Sequence, residues 1–132
     1  MKCSAKSPMS VLIADDQKSV GTTLATLVAS CHHEVVEVVG SGLEAIQAYS
    51  RHHPDAVLMD YWMPKLNGAT ACRNILSKDP YARIILVSGY CSPKEATDSG
   101  AVAVLPKPVR LERLEEVLNA LEHPASPTSF EV

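Results

Sequence analysis

The sequence predicts an α/β fold, a doubly wound, five-stranded parallel sheet with helices on both faces. Short, almost entirely apolar runs alternate with segments whose apolar residues recur at helical spacing. Near-continuous apolar runs are typical of parallel strands that are buried on both faces. Because parallel strands are joined by right-handed crossover connections, the intervening helices are expected to cover both sides of the sheet.

Five apolar runs are predicted as strands, at 10–16, 34–40, 55–60, 82–89 and 101–106. Helical patterns follow four of them, at 17–31, 42–52, 69–77 and 110–122. The segment between the fourth and fifth strands, CSPKEATDSGA, contains no large aliphatic side chain that could anchor a helix to the sheet. We therefore expect a fourth helix that is short or mobile.

The composition is that of an ordinary globular domain. Of 132 residues, 46% are hydrophobic and 20% are charged. The expected division is an N-terminal extension (1–9), a domain (10–122) and a polar tail or start of a linker (123–132). The net charge of −3 gives no support for contact with nucleic acid or an anionic membrane. The four cysteines show no CxxC spacing and no apolar run could span a membrane, so a cytoplasmic location is expected.

Five polar residues stand where predicted strands end. They are Asp15, Asp16, Asp60, Ser88 and Lys107. In open α/β sheets ligands bind beyond the carboxyl ends of the strands, so these side chains are expected to converge. Three close carboxylates repel each other unless a cation lies among them, and hard oxygen ligands suit Mg²⁺, with Mn²⁺ as an alternative. A lysine and a hydroxyl would bind a phosphoryl group, and an aspartate can itself form an acyl phosphate.

Each of these residues also has a purely structural interpretation. An acidic pair after a strand is often a helix cap, and a single aspartate, serine or lysine in a loop is commonly solvated. Both interpretations remain open for each residue taken alone. The joint placement of all five at one edge of one sheet favours a functional site.

Four motifs, LIADD, VLMDYWMPKLNG, ILVSG and LPKP, occur in this order within residues 10–122. Together they resemble the receiver domain of two-component response regulators. The resemblance implies a flavodoxin-like fold with strand order 2-1-3-4-5. It also implies that Asp60 accepts a phosphoryl group from a sensor histidine kinase or a histidine phosphotransfer protein. Phosphorylation would then switch contacts with an unidentified output partner or with a second copy of the chain.

The resemblance assigns metal ligands. Asp16 would bind Mg²⁺ directly, and Asp15 would act largely through metal-bound water. The phosphoacceptor Asp60 and the backbone carbonyl of Trp62 would complete the ligands that the protein supplies.

The resemblance also implies how the phosphoryl group is held. Lys107 would pair with it, aimed inward by a cis bond to Pro108, and Ser88 would move to hydrogen-bond it. Many receivers carry an aromatic switch residue three places before the lysine, but this chain has Val104 there. Rotation of an aromatic ring at this position therefore cannot be the output signal.

Three residues flank the expected phosphoryl position and are predicted to modulate it. Trp62 stands two places after Asp60, and Gly89 and Tyr90 follow Ser88. Two bulky rings there could shield an acyl phosphate from water. We therefore expect a phosphorylated state that lasts longer than it would with small residues at both positions.

Other functions fit the sequence less well. A degenerate receiver would act as a phosphorylation-independent interaction module, but all five site residues are present. An aspartyl-nucleophile phosphohydrolase commonly carries an acid two residues after its nucleophile, where this chain has Trp62. A nucleotide binder would need a glycine-rich loop after the first strand, where ADDQKS stands. The expected function is thus a signalling phosphoacceptor that catalyses its own phosphorylation and loses the group slowly, not an enzyme that turns over a substrate.

Overall fold

The computed structural model describes residues 8–90 and 92–122, in which five strands alternate with five helices. The strands are β1 (Ser10–Ala14), β2 (Glu34–Val39), β3 (Ala56–Asp60), β4 (Ile84–Ser88) and β5 (Ala103–Pro106). The helices are α1 (Lys18–Ser30), α2 (Gly42–His52), α3 (Gly68–Lys78), α4 (Pro93–Ser99) and α5 (Leu111–Glu122). The predicted tail, and the predicted extension as far as residue 7, lie outside the described residues.

The strands form one parallel sheet in the order β2-β1-β3-β4-β5, which confirms the predicted topology. All five residues of the central strand β3 are buried, whereas the edge strands β2 and β5 are partly exposed. The strand order reverses between β1 and β3, because β2 lies on one side of β1 and the later strands on the other. Polar residues at the carboxyl ends of β1 and β3 therefore meet at the switch point of the sheet.

Apolar clusters fill the space on both faces of the sheet. Val57 and Met59 of β3 belong to the cluster that packs on α2 and α3, and Leu58 belongs to the cluster that packs on α1 and α5. This alternation follows from the two-residue period of a strand. Because both faces of β3 are covered, all of its residues before Asp60 are apolar. The buried strand is therefore a rigid support for Asp60.

The fourth helix, α4, has seven residues, which confirms the prediction that it is short. A reciprocal capping box begins it, because the Ser92 hydroxyl accepts from the Glu95 amide at 3.1 Å and the Glu95 carboxylate accepts from the Ser92 amide at 2.9 Å. Gly100, with φ of 83°, ends it in the left-handed conformation that glycine adopts without strain. Polar caps therefore define a helix that lacks large aliphatic anchors.

All five predicted strands extend further than the observed ones, the second and third by a single residue each. The first, predicted to reach residue 16, ends at Ala14, because the carboxylate of Asp15 accepts from the backbone amide of Gln17 at 2.8 Å and turns the chain toward α1. The fourth and fifth strands begin two residues later than predicted, at Ile84 and Ala103. Across residues 8–90 and 92–122, no helix is long and apolar enough to cross a membrane.

Candidate functional site

Three carboxylates converge at the carboxyl edge of the sheet. Asp60 is the last residue of β3, and Asp15 and Asp16 follow β1 directly. Asp15 and Asp60 are each 3% exposed, whereas Asp16 faces solvent. One carboxylate oxygen from each residue lies within 4.8 Å of those of the other two. The structure therefore brings together the three acidic residues that were predicted to meet at this edge.

The ammonium group of Lys107 lies between the two buried carboxylates. Its Nζ is 3.0 Å from Oδ1 of Asp60 and 3.2 Å from Oδ2 of Asp15. Lys107 follows β5, and its backbone amide donates to the carbonyl of Ser88 at 3.0 Å, which ties it to the end of β4. The Lys107–Pro108 bond is cis, as predicted. One cation thus offsets part of the negative charge at this edge.

The environment shifts the pKa values of both members of this pair. Burial raises the pKa of Asp60; the hydrogen bond from Lys107 opposes this shift, and the charges of Asp15 and Asp16 reinforce it. Partial burial by itself would lower the pKa of Lys107, but hydrogen bonds and charges from Asp60 and Asp15 raise it overall. Negative charge at Asp60 is therefore costly without a further cation, and Lys107 stays protonated.

The acidic cluster suits a divalent cation. It offers hard carboxylate oxygens from the ends of two adjacent strands, close enough to approach one ion, and one of its members, Asp16, is open to solvent. Mg²⁺ binds such oxygen sets and keeps several waters, so a partly open site fits it. The raised pKa of Asp60 is consistent with such a site, because burial and the neighbouring carboxylates disfavour its negative charge, which a bound cation would offset.

Gly68 allows the chain to pass directly behind Asp60. A Cβ atom at this position would overlap the backbone carbonyl oxygen of Asp60 and lie 2.9 Å from the Cα of Tyr61. The Gly68 amide also donates to the Tyr61 carbonyl at 2.7 Å. In the sequence, the Asn-Gly pair at 67–68 is typical only of a turn and a helix start. Its position eight residues after Asp60 was the available signal, but the close approach could not be predicted from it.

The hydroxyl of Ser88 forms hydrogen bonds within the loop that follows it. Ser88, the last residue of β4, is 3% exposed. Its Oγ accepts from the backbone amide of Tyr90 at 3.0 Å and donates to the backbone carbonyl of Tyr90. A hydroxyl has a single proton to donate. Ser88 therefore lies at the predicted edge but does not donate toward Asp60 in this arrangement.

The flanking residues Trp62 and Tyr90 lie at the exposed rim of the site. The two residues are 59% and 73% exposed, and the Trp62 indole Nε1 donates to the backbone carbonyl of Tyr90 at 3.3 Å. The Tyr61 and Trp62 rings meet edge to face, with centroids 4.7 Å apart. A Cβ at Gly89 would meet nothing within 4 Å. Val104 pairs with Leu86 in the sheet and packs against the apolar cluster on the α2–α3 side.

The chain belongs to the response regulator receiver domain family, because residues 11–119 match the model of that family. It is therefore a receiver domain of the two-component signalling type, as the sequence motifs indicated. The matched region contains the acidic cluster, Ser88 and Lys107.

Individual relatives agree with this assignment. The chain is 34% identical over 120 residues to the chemotaxis protein CheY of Listeria monocytogenes, covering 89% of this chain and 98% of that protein. It is 39% identical over 107 residues to a protein-glutamate methylesterase/protein-glutamine glutaminase of Nitrosospira multiformis, covering 76% of this chain. The chain spans only 30% of the length of that enzyme.

Solved structures show the same fold. A chain of the CheX–CheY–BeF3–Mg²⁺ complex from Borrelia burgdorferi superposes with a TM-score of 0.82 at 28% identity, covering 86% of this chain and 89% of that chain. The receiver domain of AraT from Geobacillus stearothermophilus gives a TM-score of 0.78 at 26% identity, covering 88% of this chain and 94% of that chain.

Proposed function

We propose that this receiver domain is a phosphorylation-dependent switch in which Asp60 accepts a phosphoryl group from the phosphohistidine of a sensor histidine kinase or a histidine phosphotransfer protein. One observation carries the proposal. The buried Asp60 carboxylate lies in an acidic cluster with the ammonium group of Lys107 at 3.0 Å, and a carboxylate beside a fixed cation supports the role of nucleophile.

The proposed reaction is a displacement at phosphorus. A carboxylate oxygen of Asp60 attacks, the P–N bond to the donor histidine breaks, and the imidazole nitrogen leaves with the bonding electrons. The product is an acyl phosphate on Asp60. Lys107 stays beside it and pairs with a phosphoryl oxygen, so its charge stabilises both the incoming group and the product.

Mg²⁺ is the proposed cofactor, with Mn²⁺ as a substitute. Asp15, Asp16 and Asp60 would hold it, together with the backbone carbonyl of Trp62. When bound, it would neutralise charge on the carboxylates and on the phosphoryl oxygens. Asp16 is the exposed member of the cluster, so an entering ion can reach it. Asp15 already forms an ion pair with Lys107 and accepts a hydrogen bond from the Gln17 amide.

Ser88 is proposed to change partner when Asp60 is phosphorylated. Its hydroxyl would release the Tyr90 carbonyl and donate to a phosphoryl oxygen, which changes the segment between β4 and α4. That change would be read by an output protein or by a second copy of the chain. The domain would hold the phosphoryl group and lose it slowly, so it would act as a switch and not as an enzyme that turns over a substrate. Its proposed location is the cytoplasm.

A groove beside the site is the proposed docking place of the phosphodonor. It has a volume of about 430 Å³ and runs between α1 and the segment after β5, with Val20, Leu24 and Leu27 on one side and Lys107 to Val109 on the other. Because Lys107 belongs both to the groove and to the site, an occupant of the groove stands next to Asp60. A donor with an apolar helical surface beside its histidine would fit this lining.

The proposal is tested with acetyl phosphate and Mg²⁺, which need no partner protein. Intact mass measurement should show one added phosphoryl group on the wild type and none on Asp60→Asn. Asp98→Asn, at an exposed aspartate of α4 that pairs with Lys94, is the matched control and should be phosphorylated like the wild type. Removing Mg²⁺ with a chelator should suppress the reaction. A wild type that gains no group would contradict the proposal and favour a phosphorylation-independent interaction module.

A further inference from the structure

We propose that Trp62 is a positioning residue for Ser88. Its indole N–H holds the backbone carbonyl of Tyr90 while the Ser88 hydroxyl moves from that carbonyl to the phosphoryl group. This inference rests on the proposed function of Asp60, and it adds a role that neither the acidic cluster nor Lys107 fulfils.

The Ser88 hydroxyl is hydrogen-bonded to Tyr90 both as a donor and as an acceptor. It accepts from the Tyr90 amide at 3.0 Å and donates its single proton to the Tyr90 carbonyl. To donate to a phosphoryl oxygen it must give up the carbonyl. This hydrogen bond is partly buried, so its loss opposes the change.

Trp62 supplies a second donor to the same carbonyl. Its Nε1 lies 3.3 Å from the Tyr90 carbonyl oxygen, which has two lone pairs and can accept from Ser88 and Trp62 together. When Ser88 leaves, the indole remains as a donor. The Trp62 hydrogen bond is therefore worth more after the change than before it, and it lowers the cost of releasing Ser88.

The position of Trp62 in the chain makes this role specific. It lies on the loop directly after Asp60, whereas the carbonyl that it binds lies on the loop directly after Ser88. Its ring is held edge to face by Tyr61, which is 5% exposed and whose own hydroxyl donates to Glu95 of α4 at 2.9 Å. A supported side chain thus links the phosphoacceptor loop to the loop that must rearrange.

Trp62→Phe separates this role from shielding by the ring, because phenylalanine keeps an aromatic ring and lacks the N–H. The rate of phosphorylation by acetyl phosphate and Mg²⁺ should fall about threefold or more, the size expected for one net hydrogen bond. Trp62 is largely exposed, so the variant should fold, and its thermal unfolding checks this.

A double-mutant cycle with Ser88→Ala tests the coupling. In the Ser88→Ala background, Trp62→Phe should change the rate little, because no hydroxyl has to be released. An equal loss in both backgrounds, or no loss in either, would overturn the inference while leaving the function of Asp60 intact. A wild type that is not phosphorylated at all would instead overturn the proposed function, and the inference with it.

A second measurement uses the unmodified protein. Trp62 is the single tryptophan of the chain, so its indole N–H gives a unique NMR signal. Saturation with beryllium fluoride and Mg²⁺, which mimic the phosphoryl group, should leave this N–H at least as protected from exchange with water as before. Faster exchange would show that the indole releases the Tyr90 carbonyl together with Ser88, contrary to the inference.

Discussion

The phenol of Tyr61 donates a hydrogen bond to the carboxylate of Glu95 at 2.9 Å, which joins the residue after Asp60 to the first turn of α4. The same carboxylate accepts from the Ser92 amide through its other oxygen. Glu95 therefore closes the capping box of α4 and attaches the helix to the candidate site. Since α4 has only seven residues and no large aliphatic anchor, we expect this contact to help fix its N-terminus.

Tyr61→Phe should loosen α4 without disturbing the sheet. The ring stays in place, but Glu95 loses a donor, at a cost of about 1 kcal/mol. Hydrogen exchange should become faster for the α4 amides and stay unchanged for those of β3. Tyr81→Phe, at a tyrosine that is 90% exposed, serves as the control. Unchanged exchange in α4 would mean that its caps alone hold it.

Gly68→Ala should destabilise the protein and impair the site together. The new Cβ would overlap the backbone behind Asp60, and relieving such a clash costs about 1–3 kcal/mol. Urea unfolding should show a lower free energy of unfolding, and phosphorylation by acetyl phosphate should slow because Asp60 is displaced. Gly89→Ala is the matched control for stability, since its Cβ would meet open space. A Gly68→Ala protein of wild-type stability would contradict the close approach.

Asp60→Asn should stabilise the metal-free protein at neutral pH. Because burial and the neighbouring carboxylates raise the pKa of Asp60, the folded state binds this proton more tightly than the unfolded state. The wild type therefore loses stability as pH rises from the ordinary aspartate range through the raised pKa, and the variant escapes this loss. We therefore expect a gain in the free energy of unfolding at neutral pH, seen as a higher melting temperature.

Thermal unfolding in a chelator, measured from pH 4 to pH 8, checks the sign of this effect. The difference between Asp60→Asn and the wild type should grow with pH and shrink toward acid. A difference that grows toward acid would mean that the Asp60 pKa is lowered in the folded state.

Trp62→Ser together with Tyr90→Ser should shorten the lifetime of the phosphorylated state. Both rings lie at the rim of the site, so their loss opens the acyl phosphate to water. The decay of the phosphorylated mass after removal of the phosphodonor measures this lifetime. Tyr90→Phe keeps its ring and should decay like the wild type. If the double variant decays no faster than the wild type, the rings do not shield the group.

The sheet and the acidic cluster could be predicted because each depends on a local pattern. Apolar runs mark strands that are buried on both faces, and the residues that follow those runs must meet at one edge. Asp15, Asp60 and Lys107 were found in this way, since topology alone brings them together.

The contacts that control the site could not be predicted, because they join side chains far apart in sequence. Nothing local to Tyr61 or Trp62 indicates that their donors reach Glu95 and the Tyr90 carbonyl. The pairing of Ser88 with its own loop was also missed, because a serine after a strand gives no sign of its rotamer. These contacts depend on how two loops pack against each other, and loop packing produces no periodic pattern in the sequence.

The most direct test locates the phosphoryl group chemically. After reaction with acetyl phosphate and Mg²⁺, borohydride reduces an aspartyl phosphate to homoserine, and peptide mass spectrometry then identifies the position. We expect homoserine at position 60 and at no other aspartate of the chain. Homoserine at Asp15 or Asp16, or an absence of reducible product in a folded wild type, would contradict the claim that Asp60 is the phosphoacceptor.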